Sequence, residues 1–334
     1  MILLTGATGM LGSHIALELL RGGEQLRALC RPGSSKAAAE AVFSYYGASA
    51  LFGKIAWADG DVMDVQSLED AMQDVTHVVH AAALVSFDKA DRDALWRMNG
   101  EGTANMVNAA LSAGVQRFVH ISSVAALGKT EDDAVVDEDS WWKNAPGNSH
   151  YAISKYNAER EVWRGTEEGL NAIILNPSFI VGPGDPKRSS NVVFPMAAKG
   201  INWYTEGITG YVDVRDVAAA VKWALSSTVS NERFVLNAEN LSYRQFTTML
   251  LNAFNKKPAA KLLKPWMTAL AWRAEKLLAA LSGRKPRLTK ETAAVLHEVT
   301  RFGGTRIAEK MPLHYHSIED AVTNAAPFYK EWKV

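Results

Sequence analysis

The chain has 334 residues, 48% of them hydrophobic and 22% charged, which is the composition of a globular protein with a large core. Lysine plus arginine and aspartate plus glutamate both total 36, so the formal net charge is zero and nothing indicates a nucleic-acid partner. Cys30 is the single cysteine, which excludes an intramolecular disulfide and a cysteine-rich metal site and fits a reducing cytoplasm.

The sequence predicts neither a signal peptide nor a membrane span. The apolar run at residues 1–4 is too short for a signal peptide. The most apolar window, 266–281, is interrupted by Arg273, Glu275 and Lys276, so it lacks the roughly 18 uninterrupted apolar residues of a span. We predict an amphipathic helix there that packs on the protein, in preference to one lying on a membrane, and a cytoplasmic location.

The first half of the chain alternates short β-rich runs with helical patterns, which is typical of βαβ units on a parallel sheet. Strands are predicted at 2–5, 25–30, 54–58, 76–81, 117–121 and 172–175. Helices are predicted at 10–20, 35–46, 67–72, 99–113 and 149–169. The predicted fold class is therefore α/β, with a doubly wound parallel sheet.

After Pro177 the pattern becomes less regular. A loop is predicted at 182–186, and later elements are helix 213–225, strand 234–236, a helix capped by Ser242, helices near 265–283 and 286–299, and an irregular tail. We expect a dinucleotide-binding domain over 1–176, to which 211–238 return. Residues 177–210 and 239–334 are expected to form a smaller C-terminal α/β substrate-binding domain.

A glycine-rich segment joins the first strand to the first helix. It has the spacing GxxGxxG and runs through Thr5, Gly6, Ala7, Thr8, Gly9, Met10, Leu11 and Gly12. Gly6 allows the tight turn, Gly9 lets a pyrophosphate approach the backbone, and Gly12 lets the helix pack closely on the sheet. The helix N-terminus supplies amide donors to phosphates, so this segment predicts a dinucleotide site.

The end of the second strand indicates which dinucleotide. An acidic residue there would bind the ribose 2′-hydroxyl of NAD, but the sequence continues Cys30-Arg31-Pro32-Gly33-Ser34-Ser35-Lys36. Arg31 is a fork-shaped donor suited to a 2′-phosphate, and Ser34, Ser35 and Lys36 can assist it. The sequence therefore favours NADP(H) over NAD(H), although a solvated basic loop would have the same composition.

Three side chains form a candidate catalytic set. Tyr151 and Lys155 stand one turn apart at the start of a predicted helix, and Ser123 follows the fifth strand, where parallel strands form a ligand crevice. We expect Lys155 to lower the pKa of the Tyr151 phenol toward the working range, and Ser123, in preference to Ser122, to orient a substrate oxygen. Either serine could instead simply cap the strand.

Seven motifs in the expected order resemble those of the extended short-chain dehydrogenase/reductase family, also called the epimerase/dehydratase family, from residue 1 to about 245. They are Thr5–Gly12, Gly60-Asp61-Val62, His80-Ala81-Ala82-Ala83, Asn99-Gly100-Glu101-Gly102-Thr103, Ile121-Ser122-Ser123, Tyr151–Lys155 and Asn176-Pro177-Ser178. The resemblance implies a Rossmann fold and hydride transfer between a nicotinamide and a carbonyl or alcohol.

The same resemblance implies further contacts. Asp61 would hold the adenine amino group beside Val62, and Asn99 would support the cofactor network. Other implied cofactor contacts are Ala81, Ala82, Ala83, Lys155, Pro177 and Ser178. Implied substrate contacts are Val85, Ser123, Tyr151 and Phe179. The 212–217 segment would lie beside the substrate cleft, although from the residues alone Asp213 is a helix N-cap.

Among family branches the chain looks most like the dihydroflavonol-reductase-like and 3β-hydroxysteroid-dehydrogenase-like ones. The alternative is an NAD-dependent nucleotide-sugar epimerase or dehydratase, which would use cations such as Lys187, Arg188 and Arg306 for a diphosphate. The missing acid after the second strand argues against that alternative. Aromatic residues that could line an apolar substrate pocket, or belong to the core, are Trp203, Tyr204, Trp266 and Trp272.

Histidines and oligomerisation complete the sequence-based expectations. His80 is expected to be structural, and the pair His314 and His316 lacks further ligands at metal spacing, so no metal site is predicted. A homodimer through the helices at 99–113 and 149–169 is possible within this family. Met106 and Trp163 could lie on that interface, but both are equally consistent with core positions.

Overall fold

A computed structural model of the protein describes residues 1–128, 135–145, 147–283, 286, 288–312 and 314–332. The strands within these ranges are β1 Ile2–Thr5, β2 Leu26–Cys30, β3 Ala56–Asp59, β4 His77–His80, β5 Arg117–Ile121, β6 Ala172–Pro177, β7 Phe179–Val181, β8 Trp203–Tyr204, β9 Ile208–Asp213, β10 Glu232–Leu236, β11 Glu239–Ser242 and β12 Lys261–Leu262.

The α-helices of the same ranges are α1 Met10–Arg21, α2 Ala37–Tyr45, α3 Ser49–Phe52, α4 Val65–Ala71, α5 Arg92–Leu95, α6 Gly102–Ser112, α7 His150–Glu167, α8 Val193–Lys199, α9 Val214–Ser226, α10 Tyr243–Ala253, α11 Pro265–Ser282, α12 Lys290–Val295, α13 Arg306–Lys310 and α14 Ile318–Glu331. None of the helices in the described part of the chain is both long and apolar enough to cross a membrane.

Seven parallel strands form the main sheet in the order β10-β6-β5-β4-β1-β2-β3. The chain winds outward from β1 in both directions, so the strand order reverses between β1 and β4. A ligand crevice is expected beyond the carboxyl ends of the strands at such a reversal. The predicted doubly wound α/β fold is confirmed.

Helices cover both faces of this sheet. One face buries apolar side chains of α1, α2 and α9 against β1, β5 and β6, including Ile15, Val217 and Val221. The opposite face buries side chains of α4, α6 and α7, including Met106 and Val162. Met106 is fully buried, so it is a core residue and unavailable to an interface, and Trp163 packs against the same cluster while partly exposed.

Strand β9 and the elements that follow it, α9 and β10, belong to different layers. β10 extends the main sheet by pairing with β6, and α9 packs on α1, while β9 belongs to a separate three-stranded sheet of order β11-β9-β7. That small sheet, with α8, α10 and α14, encloses a second core around Phe194, Tyr211 and Phe246. The predicted cap at Ser242 is present as a reciprocal capping box with Gln245.

The expectation of an irregular tail was wrong, because residues 318–331 form α14. Ser317 caps this helix through its hydroxyl, and its buried residues Ile318, Val322 and Phe328 complete the second core. Pro327 lies inside the helix. The sequence does contain the helical spacing of apolar residues, but Pro327 and the histidines before the helix are atypical of a helix and argued against one.

Candidate active site

The glycine segment after β1 forms a tight cradle in front of α1. Gly6 has φ +77°, and a Cβ at that position would lie 2.7 Å from the Ala81 carbonyl oxygen. A Cβ on Gly12 would lie 2.1 Å from the Gly6 carbonyl oxygen, so α1 packs directly against the preceding turn. Gly9 is the exposed N-cap of α1, where free amides and the positive helix end favour a phosphate.

A buried hydroxyl fastens the β4 loop beside this cradle. The Thr5 hydroxyl accepts hydrogen bonds from the Ala81 and Ala82 amides at 3.2 and 3.0 Å and contacts His80 Nδ1 at 2.8 Å. His80 Nε2 lies 3.1 Å from the Thr103 hydroxyl, and burial lowers the pKa of His80 to about 3. His80 is therefore a neutral structural residue, and sequence reasoning overlooked Thr5 as its partner.

The residues expected around the adenine end lie at the ends of β2 and β3. Asp61 Oδ1 accepts the Met63 amide at 3.0 Å, which fixes the carboxylate in the loop after β3. Val62 is buried against Gly102, where a Cβ would meet it at 2.8 Å. The Arg31 side chain is exposed at the end of β2 and makes no hydrogen bond or ion pair with the residues that the structure describes.

A π-helical turn, Trp96–Glu101, precedes α6 and turns Asn99 inward. Asn99 Oδ1 accepts the Leu84 amide at 2.7 Å, and Nδ2 donates to the Leu84 carbonyl at 3.0 Å and to the Ser154 hydroxyl at 2.9 Å. One buried amide thus connects the loop after β4 to the helix that carries the candidate catalytic pair. A regular helix was predicted here, and π-turns of this kind are frequent at functional sites.

Ser123, Tyr151 and Lys155 come together as expected. Ser123 follows β5 and accepts the Ala125 amide at 3.2 Å, while Tyr151 and Lys155 lie on the first turns of α7, which Ser149 caps. The Ser123 hydroxyl is hydrogen-bonded to the Tyr151 phenol. Ser122 is buried near Glu159, and its hydroxyl has no hydrogen-bond partner among the described residues. The structure therefore places Ser123 on the site side.

The pKa of the Tyr151 phenol is raised in this structure, in contrast to the expected lowering by Lys155. Burial raises the pKa of the Tyr151 phenol because a phenolate loses solvation there, and the hydrogen bond with Ser123 is the opposing influence. Lys155 Nζ instead donates to the Ile121 carbonyl oxygen at 2.8 Å. Ser123 is thus the group in this structure that favours the ionised phenol.

A buried network of charged and polar side chains adjoins Lys155. Glu159, one turn further along α7, is hydrogen-bonded to the Asn176 amide and lies 3.6 Å from Arg233 Nη1. Burial lowers the pKa of Lys155 to about 8, and the Glu159 carboxylate raises it. Burial likewise raises the pKa of Glu159, opposed by Ser122, Arg233, Asn176 and Lys155. Sequence reasoning missed Glu159, although its i,i+4 spacing from Lys155 was available.

We expect Glu159→Gln to move the alkaline decline of kcat/KM to lower pH. If the reaction needs the Lys155 ammonium, activity falls as pH rises through the lysine pKa, and removal of the carboxylate lowers that pKa. The unfolding free energy should also fall by about 3 kcal/mol, since a buried ion pair loses one partner. A pH–rate profile and urea melts measure the two effects.

Glu161→Gln is the matched control, because Glu161 lies on the same helix in a surface pair with Arg164 at 2.9 Å. Surface pairs contribute about 0–1 kcal/mol, so this variant should keep both the profile and the stability. An alkaline limb that stays in place in Glu159→Gln would show that Glu159 does not tune Lys155.

The remaining predicted contacts differ in how well they fit a bound dinucleotide. The Ser178 hydroxyl is buried without a hydrogen-bond partner among the described residues, as expected if a ligand such as a nicotinamide carboxamide completes it. Pro177 ends β6 beside it, and Val85 is exposed on the loop after β4. Phe179 packs on Tyr211 and Phe246 in the second core. The glycine cradle and the unpaired Ser178 hydroxyl together fit the cofactor.

Cations proposed for a diphosphate are largely engaged elsewhere. Arg306 pairs with Asp139 and lies 3.7 Å from Glu138, and Arg188 lies 3.2 Å from Asp185. Lys187 is exposed. Asp213 is the N-cap of α9, as the residues alone suggested, and it also pairs with Arg215 at 2.6 Å.

The two tail histidines and two of the aromatic candidates lie in polar or exposed surroundings. His316 Nδ1 is 2.6 Å from Asp216 Oδ1, which makes His316 part of a polar contact between the tail and α9, and His314 is exposed. Trp203 and Trp266 are exposed, so neither is a core residue. Phe87, which sequence reasoning missed, places its ring 5.6 Å from that of Tyr151 and forms an apolar wall at the site.

Known proteins share this arrangement over nearly the whole chain. The chain is 30% identical over 334 residues to a "Putative dihydroflavonol 4-reductase" of Synechocystis sp., covering 98% of this chain and 93% of that one. It is 29% identical over 336 residues to the "Sterol demethylase protein B" of Methylococcus capsulatus, covering 98% of both. The crystal structure of gox2253 superposes with a TM-score of 0.82 at 31% identity and covers 99% of this chain and 98% of that one.

The sequence profile of the NAD dependent epimerase/dehydratase family matches residues 2–237, a range that includes every motif of the site described above. The chain therefore belongs to the NAD-dependent epimerase/dehydratase family and is an enzyme of the extended short-chain dehydrogenase/reductase type.

Proposed function

We propose that this enzyme is an NADP(H)-preferring oxidoreductase that interconverts a carbonyl and an alcohol. The observation that carries the proposal is the pairing of two features. Tyr151, with Ser123 beside its phenol, and Lys155 share the first turns of α7. Arg31 at the end of β2 makes no hydrogen bond or ion pair with the described residues, and the 30–36 segment holds no carboxylate. A 2′-phosphate would supply the anion that Arg31 otherwise lacks.

The chain's own residues divide the chemistry among them. The bound nicotinamide would supply or accept the hydride at the substrate carbon. Tyr151 donates its phenolic proton to the carbonyl oxygen in reduction or accepts it in oxidation, and Ser123 orients that oxygen. Lys155, held against the Ile121 carbonyl oxygen, would offer a cation to the cofactor ribose. Asn99 and Ser154 keep α7 in register with the β4 loop.

The nucleotide-sugar epimerase remains the alternative, and structural observations weigh against it. Arg306 is occupied by Asp139 and Glu138, and Arg188 by Asp185. Among the described residues, Lys187 is the member of that predicted set without a carboxylate partner. The apolar Phe87 beside Tyr151 is better suited to a carbonyl on a hydrophobic molecule. Two relatives named as a dihydroflavonol reductase and a sterol demethylase component support the same class.

A cofactor and substrate screen tests the proposal. Purified enzyme is assayed for co-purifying dinucleotide, then for NADPH and NADH oxidation with aldehydes, ketones, flavanones and steroids. We expect NADPH oxidation with at least one apolar carbonyl compound. Tightly bound NAD with no NADPH turnover on any of them would instead assign the enzyme to the epimerases.

Arg31→Asp should reverse the cofactor preference. The substitution removes a charge-assisted hydrogen bond to the 2′-phosphate and supplies a carboxylate for the 2′-hydroxyl of NAD, so kcat/KM for NADPH should fall at least about tenfold while that for NADH rises. Lys54→Asp makes the same charge change at an exposed position before β3 and should leave the ratio unaltered. An unchanged ratio in Arg31→Asp would mean that the loop is merely solvated.

A further inference from the structure

Helix α11 presents an apolar surface outward. Trp266, Leu270, Leu277 and Leu281, the outer apolar stripe, are 61%, 60%, 62% and 77% exposed. Their spacing of four, seven and four residues keeps them within one narrow sector of an α-helix. Single exposed apolar side chains are ordinary on protein surfaces, but four aligned on one 18-residue helix form a continuous patch.

The helix is attached to the protein by its opposite side. Thr268 and Ala279 are its buried residues, and the Thr268 hydroxyl lies 2.9 Å from His297 Nε2 beside α12. At about 100° per residue, these two positions lie roughly across the helix axis from the outer apolar stripe. The helix therefore packs on the protein through that side and leaves its most apolar face exposed.

The segment that leads into α11 and continues through residue 276 is strongly basic. Between residues 256 and 276 the chain carries six cationic residues and one acidic residue, Glu275, in a protein of zero formal net charge. The cations are Lys256, Lys257, Lys261, Lys264, Arg273 and Lys276, and each is exposed. Arg273 and Lys276 border the stripe on the helix itself, and Lys264 precedes the first turn.

Two more exposed apolar side chains lie in the small two-stranded sheet, one strand of which closely precedes α11 in the chain. Leu262 in β12 is exposed, and its neighbour Lys261 pairs in register with the exposed Trp203 of β8. Lys261 Nζ lies 5.4 Å from the Trp203 ring centroid. The helix and this small sheet thus offer the same combination of large apolar groups with lysines beside them.

We propose that α11 binds the enzyme peripherally to membranes that contain anionic lipid. The helix would lie parallel to the surface, about 27 Å long at 1.5 Å per residue, with the outer apolar stripe among the acyl chains and the flanking cations at the headgroups. A second copy of the chain is a poorer occupant, because symmetric pairing through the stripe would oppose the two sets of cations. This inference is independent of the reductase proposal.

Vesicle co-sedimentation tests it with the full-length enzyme and no substrate. We expect binding to phosphatidylcholine vesicles that contain about 30 mol% phosphatidylglycerol, because the anionic lipid supplies a negative surface potential. Binding to pure phosphatidylcholine should be weak. Leu277→Glu with Leu281→Glu should lower the partition coefficient at least about tenfold, because two leucines that would be buried among the acyl chains are lost. Both positions are exposed, so thermal melts should be unchanged.

Ala271→Glu with Ser282→Glu is the charge-matched control, since both residues are exposed on α11 outside the stripe. This variant should lose no more than about threefold if acyl-chain contact dominates. Equal losses in the two variants, or no binding of the unaltered enzyme to either vesicle, would overturn the proposal. A dimer in solution that Leu277→Glu with Leu281→Glu converts to monomers, without vesicle binding, would assign the stripe to a second copy.

Discussion

Tyr151→Phe is expected to lower kcat by about 10²–10⁴-fold while cofactor affinity stays nearly unchanged. The phenylalanine keeps the ring that packs 5.6 Å from Phe87, so the pocket wall survives, but the proton donor hydrogen-bonded to Ser123 is lost. Stopped-flow or steady-state turnover measures the first effect, and quenching of protein fluorescence by NADPH measures the second.

Tyr156→Phe provides the control for that experiment. Tyr156 lies on the same helix but stacks on Trp142 at 4.5 Å, away from Ser123, and its hydroxyl has no part in the proposed chemistry. Its variant should turn over normally. Substantial activity in Tyr151→Phe would refute the acid–base role of Tyr151 and with it the proposed mechanism, whatever the cofactor preference proved to be.

Gly12→Ala is expected to have the largest effect on the fold. An added Cβ would lie 2.1 Å from the Gly6 carbonyl oxygen and 2.6 Å from its carbon, so α1 would have to move off the preceding turn. Because both neighbours are backbone atoms, no side chain can rotate away. We expect a loss of about 3 kcal/mol or more in unfolding free energy, seen by urea denaturation, and loss of dinucleotide binding.

Gly9→Ala separates the two roles of the glycine segment. Its nearest neighbour would be the Gly6 carbonyl oxygen at 3.3 Å, and Gly9 is exposed, so the fold should tolerate the methyl group. The approach of the pyrophosphate would be hindered, and we expect about tenfold weaker binding, equivalent to about 1.4 kcal/mol. A Gly12→Ala protein as stable as the Gly9→Ala protein would mean that helix–turn packing is looser than the structure shows.

The local part of the site could be predicted from the sequence. The turn before α1, the i,i+4 pair Tyr151 and Lys155, and the serine after β5 each depend on residues close together in the chain. Their relative placement follows from one rule, that the carboxyl ends of parallel strands meet at one edge of the sheet. This is why the fold class and the catalytic cluster were predicted together.

The supporting interactions could not be predicted in the same way, because they join residues far apart. Glu159 interacts with Asn176 on β6 and Arg233 on β10, and the sequence of the 150–167 segment does not indicate these two partners. The pKa of Tyr151 depends on burial, a property of the assembled protein. The exposure of the apolar face of α11 could not be predicted for a related reason, since an apolar pattern on a helix does not show which part of the protein, if any, covers it.

The position of β10 at the edge of the main sheet also affects how the chain folds during its synthesis. β6 is complete at residue 177, but the strand that closes its outer edge ends at residue 236. During synthesis at about 5–20 residues per second, the nascent chain therefore leaves an apolar strand edge unpaired for roughly 3–12 seconds. Open edges of this kind recruit other strands, so we expect the nascent chain to be more prone than the folded enzyme to pair with strands of other molecules.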